Sequence, residues 1–579
     1  DALPILVIGN PPYSTISGNL SAEAISFVEP FRYVNGKRLI VKAALAHERN
    51  LQDDYVKYFG LLCRHLWNTG VGIGSYISNF GFLDSQSLAG MRCSILNSFD
   101  LVDILDLGGR VADHSSEAKG DENVFEISQG VAISILAKRS SNIESTMLRY
   151  KRLRGSQKSK LSTLNQNDMR NLSLDYVKAK APYYLFLPTD ARVTSEFEEY
   201  YGLEQIFLMN SGGIITSRDN LAIAMNKQSL IDKVLEFSNT TDGDLEVREK
   251  IGYSVKAKWN ETGCKRLLRA ETVGETRIKK IYYRPMDERY IYYFLPLLDT
   301  PSRPVSEMVY SGTNLVLATP RLKTPGEFCH ILISRWPVEK KACTHDMATQ
   351  MFPVFDRNPF NPQKIRLNIN NEFLEMLPKE WKQSWTSDET AGIEITSYIY
   401  SLIHSPTYRH RYIEPLRGVY PRVPITNNIK MLERLVSFGK KLIELHLLEF
   451  TPVENFSFKS ILKHRSEVEK VSYSENTVWI NKKKTNGFKG VSEEIWNFNI
   501  GGYQVCKKWL IARQAKGGKN PRPGHILTEE DINHYQKIIV AISKTIRIMG
   551  EIDIVINENG GWPGAFQTGK EYTEDAEIL

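Results

Sequence analysis

The 579-residue sequence predicts an α/β protein with a doubly wound (Rossmann-like) sheet, then a mixed α+β region, then a helical C-terminal region. Strand-like and helix-like runs alternate to about residue 140, which is the pattern of a mainly parallel sheet. After about residue 145 the sequence becomes rich in Tyr, Pro and Arg, and its last part is more helical. We therefore predict three domains, at 1–145, 146–440 and 441–579.

The N-terminal elements follow from hydrophobic periodicity. Leu3–Ile8 is a short apolar run, typical of a strand that is buried on both faces. A helix is predicted after Asn50, because apolar residues then recur at helical spacing and Asp53 and Asp54 favour the positive end of a helix. The next predicted elements are a strand near 73–80, a helix over 85–97, a strand over 101–107, and runs at 122–127 and 130–137 that could form a hairpin.

Glycines and caps predict the ends of two helices. The run Gly70–Gly74 follows a helix and enters a strand, so we interpret it as a helix C-cap and turn rather than as a nucleotide-binding loop. Near the C-terminus, Thr528 and Asp531 have the spacing of a capping box, and an apolar stripe at helical spacing follows them. Gly550 is the predicted end of that helix.

Composition excludes several classes of protein. Apolar residues make up 42% and charged residues 24%, with a mean hydropathy of -0.32, as in a water-soluble globular protein. No run approaches the roughly 18 apolar residues of a membrane span, and no secretory signal is recognisable. The six cysteines form no CxxC pair, and no His, Asp or Cys cluster has metal-ligand spacing, so we expect a cytoplasmic protein without a metal site. The net charge of +7 is too mild to identify a partner.

The strongest chemical signal is Asn10-Pro11-Pro12-Tyr13, directly after the first predicted strand. Ligands of open α/β sheets bind beyond the carboxyl ends of strands. The side-chain oxygen of Asn10 and the carbonyl oxygen of Pro11 offer two acceptors for an exocyclic amino group, and the prolines hold them in place. Tyr13 offers a flat face on which a base can stack. We favour this interpretation over a simple Pro-Pro turn.

Basic residues outside this motif are candidates for contacts with phosphates or bases. Two clusters contain no acid, one at 149–160 and one at 507–522, and the TYRHRY segment at 407–412 could reach base edges. The candidate DNA-binding residues are Lys151, Arg152, Arg154, Arg409, Arg411, Lys516, Lys519 and Arg522. The aromatic stretch 282–294 could stack bases, but core packing is the better interpretation.

Several segments resemble a known family. GNPPYS after an apolar strand resembles motif IV of amino-group methyltransferases that use S-adenosylmethionine, and segments 50–59 and 70–92 resemble the elements after that motif in N6-adenine DNA methyltransferases. Segment 121–138 resembles their late hairpin, in which a phenylalanine contacts the flipped base, and Phe125 is the match. The segments RYIYY, IHSPTYRHRY, GGYQVCKKWL and GGWPGAF, at 289–293, 403–412, 501–510 and 560–566, resemble the specificity region of type ISP restriction-modification enzymes.

The resemblance implies a site-specific adenine methyltransferase of a restriction-modification system, with the gamma-type order in which catalysis precedes target recognition. The cofactor would be S-adenosylmethionine, which transfers its methyl group directly to adenine N6. The partner would be double-stranded DNA with a flipped adenine. The implied catalytic residues are Asn10, Pro11, Pro12 and Tyr13, and Tyr13 and Phe125 would stack on the base.

The resemblance also implies that the first domain is incomplete. In the family, the glycine-rich cofactor loop precedes the NPPY motif, and only nine residues precede Asn10 here. Residues 1–145 would thus be the C-terminal half of a catalytic domain, and 146–440 and 441–579 would read the DNA site. A nuclease and an ATP-driven translocase can lie upstream in the intact polypeptide. Two alternatives stay open: a DNA-binding specificity module without catalytic activity, and a methyltransferase that acts on glutamine amides of proteins.

Overall fold

The computed structural model describes residues 3–12, 21–38, 48, 50–109, 120–127, 129–139, 145–181, 183–188, 191–255, 259–322, 328–357, 365–451, 458–462, 466–517 and 523–566. The described chain forms two compact units, one that ends at Thr194 and one that contains Ser195–Leu322 and the residues from Phe328 onward. The three domains inferred from the sequence stay predictions. Within the described ranges, no helix is long and apolar enough to cross a membrane.

The first unit is built on a six-stranded sheet. Its strands are β1 (Ile5–Gly9), β4 (Gly72–Asn79), β5 (Leu101–Gly108), β6 (Val131–Lys138), β7 (Met147–Arg152) and β8 (Asp175–Tyr176). The strands β2 (Tyr33–Val34) and β3 (Lys37–Arg38) form a separate two-stranded ribbon. The helices up to residue 199 are α1 (Ala22–Ser26), α2 (Asp54–Thr69), α3 (Ala89–Ser98), α4 (Gln157–Gln166) and α5 (Ala191–Glu199).

The sheet is mixed rather than mainly parallel, which corrects the prediction. Its order is β1-β4-β6-β5-β7-β8. The β1–β4 and β5–β7 pairs are parallel, whereas β6 runs antiparallel to both of its neighbours and β8 runs antiparallel to β7. The predicted hairpin of 122–127 with 130–137 is wrong, because 122–127 contains no strand and β6 pairs with β4 and β5 instead.

Helices α2 and α3 cover one face of the sheet. Leu62 of α2 packs so closely on β4 that a Cβ at Gly74 would lie 2.5 Å from a Leu62 methyl carbon. The predicted cap is confirmed: Gly70 has a φ of +77° and donates to the Leu66 carbonyl at 3.0 Å. The predicted helix over 85–97 is confirmed with a later start, at Ala89.

The outer strand β1 is less buried than predicted. Leu6 and Ile8 are 66% and 74% exposed, and Ile73, which is paired with Leu6, is 46% exposed. All three side chains lie on the face opposite α2, because Leu6 and Ile73 are register partners and Ile8 is two residues from Leu6. The apolar run therefore identified a strand, but burial on both faces is wrong for the described part of the sheet.

The second unit combines small sheets with longer helices. Its strands are β9 (Tyr201–Gly202), β10 (Ser211–Gly212), β11 (Ile223–Ala224), β12 (Ile278–Arg284), β13 (Asp287–Tyr292), β14 (Val316–Pro320), β15 (Leu332–Ser334), β16 (Thr349–Pro353), β17 (Phe355–Arg357), β18 (Ile365–Leu367), β19 (Arg422–Val423), β20 (Lys459–Ser460), β21 (Ser472–Ser474), β22 (Thr477–Trp479), β23 (Gly487–Lys489), β24 (Asn499–Ile500) and β25 (Tyr503–Gln504). Four-stranded sheets form in the orders β10-β16-β14-β15 and β20-β23-β22-β21, and a three-stranded sheet forms in the order β11-β13-β12. The end of the chain is thus not only helical, as predicted, but also contains a small sheet.

The helices that complete this unit are α6 (Leu203–Ile206), α7 (Asp219–Ala222), α8 (Lys227–Asn239), α9 (Leu245–Ile251), α10 (Glu261–Ala270), α11 (Val305–Val309), α12 (Asn371–Met376), α13 (Lys379–Gln383), α14 (Asp388–His404), α15 (Pro406–Arg411), α16 (Ile429–His446), α17 (Glu493–Asn497), α18 (Val505–Ile511), α19 (Glu529–Glu558) and α20 (Gly561–Gly564). Helix α16 packs against both α14 and α19. The capping box of Thr528 and Asp531 is confirmed at the start of α19. The predicted stop at Gly550 is wrong, because buried Ile552 and Val555 continue the apolar face of the helix.

A buried polar network joins α14, α16 and α19. His446 contacts the Tyr400 hydroxyl with Nδ1, at 2.5 Å, and the Thr545 hydroxyl with Nε2, at 2.9 Å. The Nδ1 of His404 contacts the carbonyl of Tyr400 at 2.7 Å. Burial, with the nearby charge of Arg409, lowers the pKa of His446 to about 3 and the pKa of His404 well below its usual range. Both imidazoles are therefore neutral in the folded protein near neutral pH.

Because these histidines are buried in the neutral form, we expect the free energy of unfolding to fall in mild acid. Their folded-state pKa values lie below the unfolded value near 6.5, so the stability they confer is present above that pH and is lost as the pH falls below it, down to about 3 in the case of His446. Each should add about 1.4 kcal/mol per pH unit to the slope of the unfolding free energy in this window. We expect His446→Gln to reduce the slope by about that amount in urea titrations between about pH 4 and 6. Parallel pH curves for the variant and the wild type would contradict the prediction.

Candidate functional site

Asn10, Pro11 and Pro12 directly follow β1, at the carboxyl end of that strand. Asn10 and Pro12 are exposed and Pro11 is buried. Tyr13, the predicted stacking residue, lies outside the described residues. The described part of the motif thus presents a side-chain amide and a fixed proline backbone at the end of the outermost described strand, and its catalytic role stays a prediction.

The end of β1 is held against its neighbour by an aromatic ring. Gly9 is the register partner of Tyr76 on β4, and a Cβ at Gly9 would lie 2.8 Å from the ring. Tyr76 is buried and packs edge-on against Phe59 of α2, with 5.4 Å between ring centroids. Burial raises the pKa of Tyr76 to about 12, so its hydroxyl stays neutral. Sequence reasoning missed this residue, whose role is to position the strand end that carries Asn10.

The segment 120–130 lies at the same edge of the sheet. Its last residues lead into Val131, which starts β6 and pairs with the final residues of β4 and β5, Asn79 and Gly108. The Asn79 amide donates to the side-chain oxygen of Gln129 at 3.1 Å. The described edge therefore brings the ends of β1, β4 and β5 together with this segment.

Asn123 organises the segment around Phe125. Its Nδ2 donates to the carbonyls of Gly109 at 2.9 Å and Gln129 at 2.6 Å, and its Oδ1 accepts the Phe125 backbone N–H at 2.9 Å. The Phe125 side chain is 37% exposed. A partly exposed ring on a fixed backbone can serve as a stacking face with little loss of conformational entropy. The role of Phe125 in base contact stays a prediction.

A buried ion pair fixes the start of the segment. The ammonium of Lys160 on α4 lies 2.6 Å from Asp121, and their side chains are 0% and 5% exposed. Burial alone would raise the pKa of Asp121, but hydrogen bonds from Lys160 and from the amides of Gly109 and Gly155 outweigh it, so the pKa falls below its usual value. Lys160 belongs to the basic cluster at 149–160, for which contact with phosphates is predicted. Because its side chain is fully buried, the prediction is wrong for this residue.

The other basic residues of this cluster differ in their surroundings. Arg152 is mostly buried and lies 3.8 Å from Asp106, an ion pair that ties β7 to β5. The Lys151 ammonium donates to the Ser173 carbonyl at 2.9 Å, and Arg154 is exposed. The ion pair of Arg152 indicates a structural role, but its side chain is 24% exposed, so the DNA contacts predicted for Arg152, Lys151 and Arg154 stay predictions.

Most of the TYRHRY segment lies on α15 in the second unit, where its two arginines differ in burial. Arg409 is 5% exposed and donates to the Ile403 carbonyl at 2.8 Å, so its burial corrects the prediction that it reaches base edges. Arg411 forms a two-pronged ion pair with Glu196, at 3.0 and 2.6 Å, and Glu196 also accepts the Tyr412 hydroxyl. The Arg411 side chain is 30% exposed, and its contact with base edges stays a prediction.

The remaining candidates follow α18 in the sequence. Lys516 is exposed, and Lys519 and Arg522 lie outside the described residues. In the aromatic stretch 282–294, Tyr282, Tyr292 and Phe294 are at most 4% exposed. The prediction that this stretch packs in the core is confirmed for these three rings.

The second unit is similar to a known protein family. The model of the Type ISP C-terminal specificity domain matches residues 205–551. The chain belongs to this family. Three of the segments that resemble the specificity region, at 289–293, 403–412 and 501–510, lie inside the Type ISP match, so that resemblance is confirmed for them. The segment 560–566 lies beyond it.

Solved structures share the fold of this Type ISP chain at low sequence identity. The ATP-dependent Type ISP restriction-modification enzyme LlaBIII bound to DNA is 20% identical, with a TM-score of 0.71 over 94% of this chain and 37% of that chain. A nuclease-deletion mutant of the Type ISP enzyme LlaGI, in complex with a DNA substrate mimic, is also 20% identical, with a TM-score of 0.70 over 94% of this chain and 52% of that chain. The DrdV–DNA complex is 20% identical, with a TM-score of 0.69 over 94% of this chain and 56% of that chain. This chain therefore spans between about a third and just over half of these proteins.

No curated protein matches the chain. Among the described residues of this Type ISP family member, no group of His, Cys, Asp and Glu is placed to hold a metal ion. All six cysteines are free thiols, and five of them are buried.

Proposed function

We propose that the chain reads the DNA site and holds the target adenine in an N6-adenine DNA methyltransferase of a restriction-modification system. The observation that carries the proposal is a Type ISP specificity domain at 205–551 in the same chain as an Asn-Pro-Pro motif at a strand end. The solved relatives that share the fold are in complex with DNA, which supports duplex DNA as the partner.

In this proposal the first unit holds the adenine amino group. The side-chain oxygen of Asn10 and the carbonyl oxygen of Pro11 accept its two N–H bonds, which draws the nitrogen lone pair out of conjugation with the ring. Phe125 packs against the extruded base from the loop that Asn123 fixes. Because these groups are positioned before the base arrives, they favour the geometry in which the amine can react.

The exposed face of β1 fits a sheet that a further layer covers in the intact protein. Leu6 and Ile8 are largely exposed, and β1 is the outermost described strand. Apolar side chains on a sheet face are normally covered by another layer. This exposure supports the interpretation of the sheet as the back half of a Rossmann-like methyltransferase sheet, with 146–440 and 441–579 as the specificity region.

The cofactor of this chemistry is S-adenosylmethionine, which supplies an electrophilic methyl group when bound. The described residues do not form a site for it on their own. Two glycine pairs lie beside strands. At Gly72 and Gly74, the space that a Cβ would need is occupied by Ile5 and Leu62. In the second pair, Gly108 and Gly109, a Cβ at Gly109 would lie 2.7 Å from the Asn123 nitrogen. Neither pair leaves a cradle for a nucleoside or a carboxylate, so we derive no step through the cofactor.

The test is transfer of labelled methyl groups from S-adenosylmethionine by the intact polypeptide. We expect the label in N6-methyladenine of duplex DNA. DNA binding without any label would favour a specificity module that lacks catalysis. Label on a protein, insensitive to DNase, would favour a glutamine methyltransferase. Either of the last two results would overturn the proposal.

A further inference from the structure

The second unit contains a cleft of about 180 Å³ between the β12–β13 hairpin and α18. Three cationic side chains line it: Arg284 and Arg289 from the hairpin and Lys508 from the helix. Tyr283 and Trp509 contribute aromatic walls. The cleft thus joins two segments that the sequence singled out separately, the aromatic stretch 282–294 and the basic cluster 507–522.

The two arginines are held on one aromatic ring. The guanidinium carbons of Arg284 and Arg289 lie 3.9 and 4.0 Å from the centroid of Tyr283. Arg284 is anchored by Glu339 at 2.6 Å and Arg289 by Asp287 at 2.8 Å. These contacts fix two planar, permanently charged donors on the lining of the cleft, at little further entropic cost when a ligand binds.

One acid, Asp287, also lines the cleft. It is 2% exposed and pairs with Arg289, with Arg513 3.5 Å away from its other oxygen. Arg513 in turn lies 3.5 Å from the centroid of the Trp509 ring. The negative charge on the lining is therefore buried and already paired with cations.

Lys508 carries a charge with little compensation. Among the residues that the structure describes, its ammonium makes no hydrogen bond or ion pair, and its nearest partner is the Tyr503 ring at 4.9 Å. Burial, followed by repulsion from Arg284 and Arg289, lowers the pKa of Lys508. An anion in the cleft would relieve this repulsion.

We propose that Lys508, Arg284 and Arg289 bind a phosphate group of the DNA backbone in this cleft. Arginine forks and a lysine ammonium suit phosphate oxygens, and such contacts set the register of a protein on duplex DNA. The assignment rests on the proposed function, because the cleft lies inside the Type ISP specificity domain. A small phosphate ligand has the same chemistry and is distinguished by the test.

The test compares Lys508→Gln with Lys430→Gln in the intact protein. Lys430 lies on α16, is exposed, belongs to neither basic cluster and does not line the cleft. Binding of a mixed-sequence DNA duplex is measured by fluorescence anisotropy over a range of salt. Loss of one phosphate contact should reduce the slope of log affinity against log salt by about 0.9 in the Lys508 variant, with about tenfold weaker binding at physiological salt. Lys430→Gln should leave both quantities unchanged, and Lys508→Arg should retain the slope.

Each other outcome overturns the assignment in a recognisable way. If the wild-type protein binds no DNA, the proposed function fails together with this site. If wild type binds but the two glutamine variants behave alike, the cleft makes no specific phosphate contact. If pyrophosphate raises the unfolding temperature of wild type and not of Lys508→Gln while the DNA slope is unchanged, the cleft binds a small phosphate ligand. Thermal unfolding of each variant confirms that it folds.

Discussion

Replacement of Asn10 by alanine in the intact protein is expected to reduce methyl transfer to adenine by about 100- to 1000-fold, as is usual when one preorganised polar group at a reacting centre is removed. DNA affinity should change little, because Asn10 is one residue at an exposed strand end and the specificity domain lies elsewhere in the chain. The measurement is single-turnover methylation of duplex DNA, so that product release does not mask the chemical step.

Asn97→Ala is the matched control. Asn97 is exposed at the end of α3, and its amide lies 3.6 Å from the sulfur of Cys93, far along the chain from the candidate site. The same change there should leave the rate within about twofold, since surface substitutions have small effects. Methylation by the Asn10 variant at the wild-type rate would show that this side chain does not grip the amino group, even if the protein is a methyltransferase.

Local signals in the sequence were enough to locate the elements that carry the candidate site. The apolar run before Asn10 is the strand Ile5–Gly9, and Asp53 is the N-cap of α2. Thr528 and Asp531 cap α19. Each of these features depends on residues a few positions apart, so its periodicity or residue type at a helix end is visible in the sequence itself.

Contacts between distant segments could not be predicted in the same way. The direction of β6 depends on its pairing with both β4 and β5, which no local pattern encodes. Charge was also misleading, because Lys160 and Arg409 look like surface cations and instead satisfy buried partners. Long basic side chains can serve either purpose, and only tertiary packing decides between them.

The glycine at the crossing of α14 and α16 shows how strongly such packing constrains a residue that carries no chemistry. A Cβ at Gly439 would lie 1.9 Å from the carbonyl oxygen of Ser397 and 2.8 Å from its Cα, far closer than non-bonded atoms approach. The obstacle is helix backbone, so it can be relieved only by separation of the two helices. A side chain as small as a methyl group is therefore excluded here.

We expect Gly439→Ala to destabilise the second unit by more than about 3 kcal/mol, beyond the usual cost of overpacking, despite the gain of about 1 kcal/mol in helix propensity. Gly550→Ala makes the same change within α19, where a Cβ would meet nothing within 4 Å. It should instead stabilise the protein by about 1 kcal/mol. Scanning calorimetry of the intact protein should thus show unfolding temperatures that move in opposite directions. A shift of the same sign in both variants would mean that helix propensity, and not the close approach of α14 and α16, decides the effect.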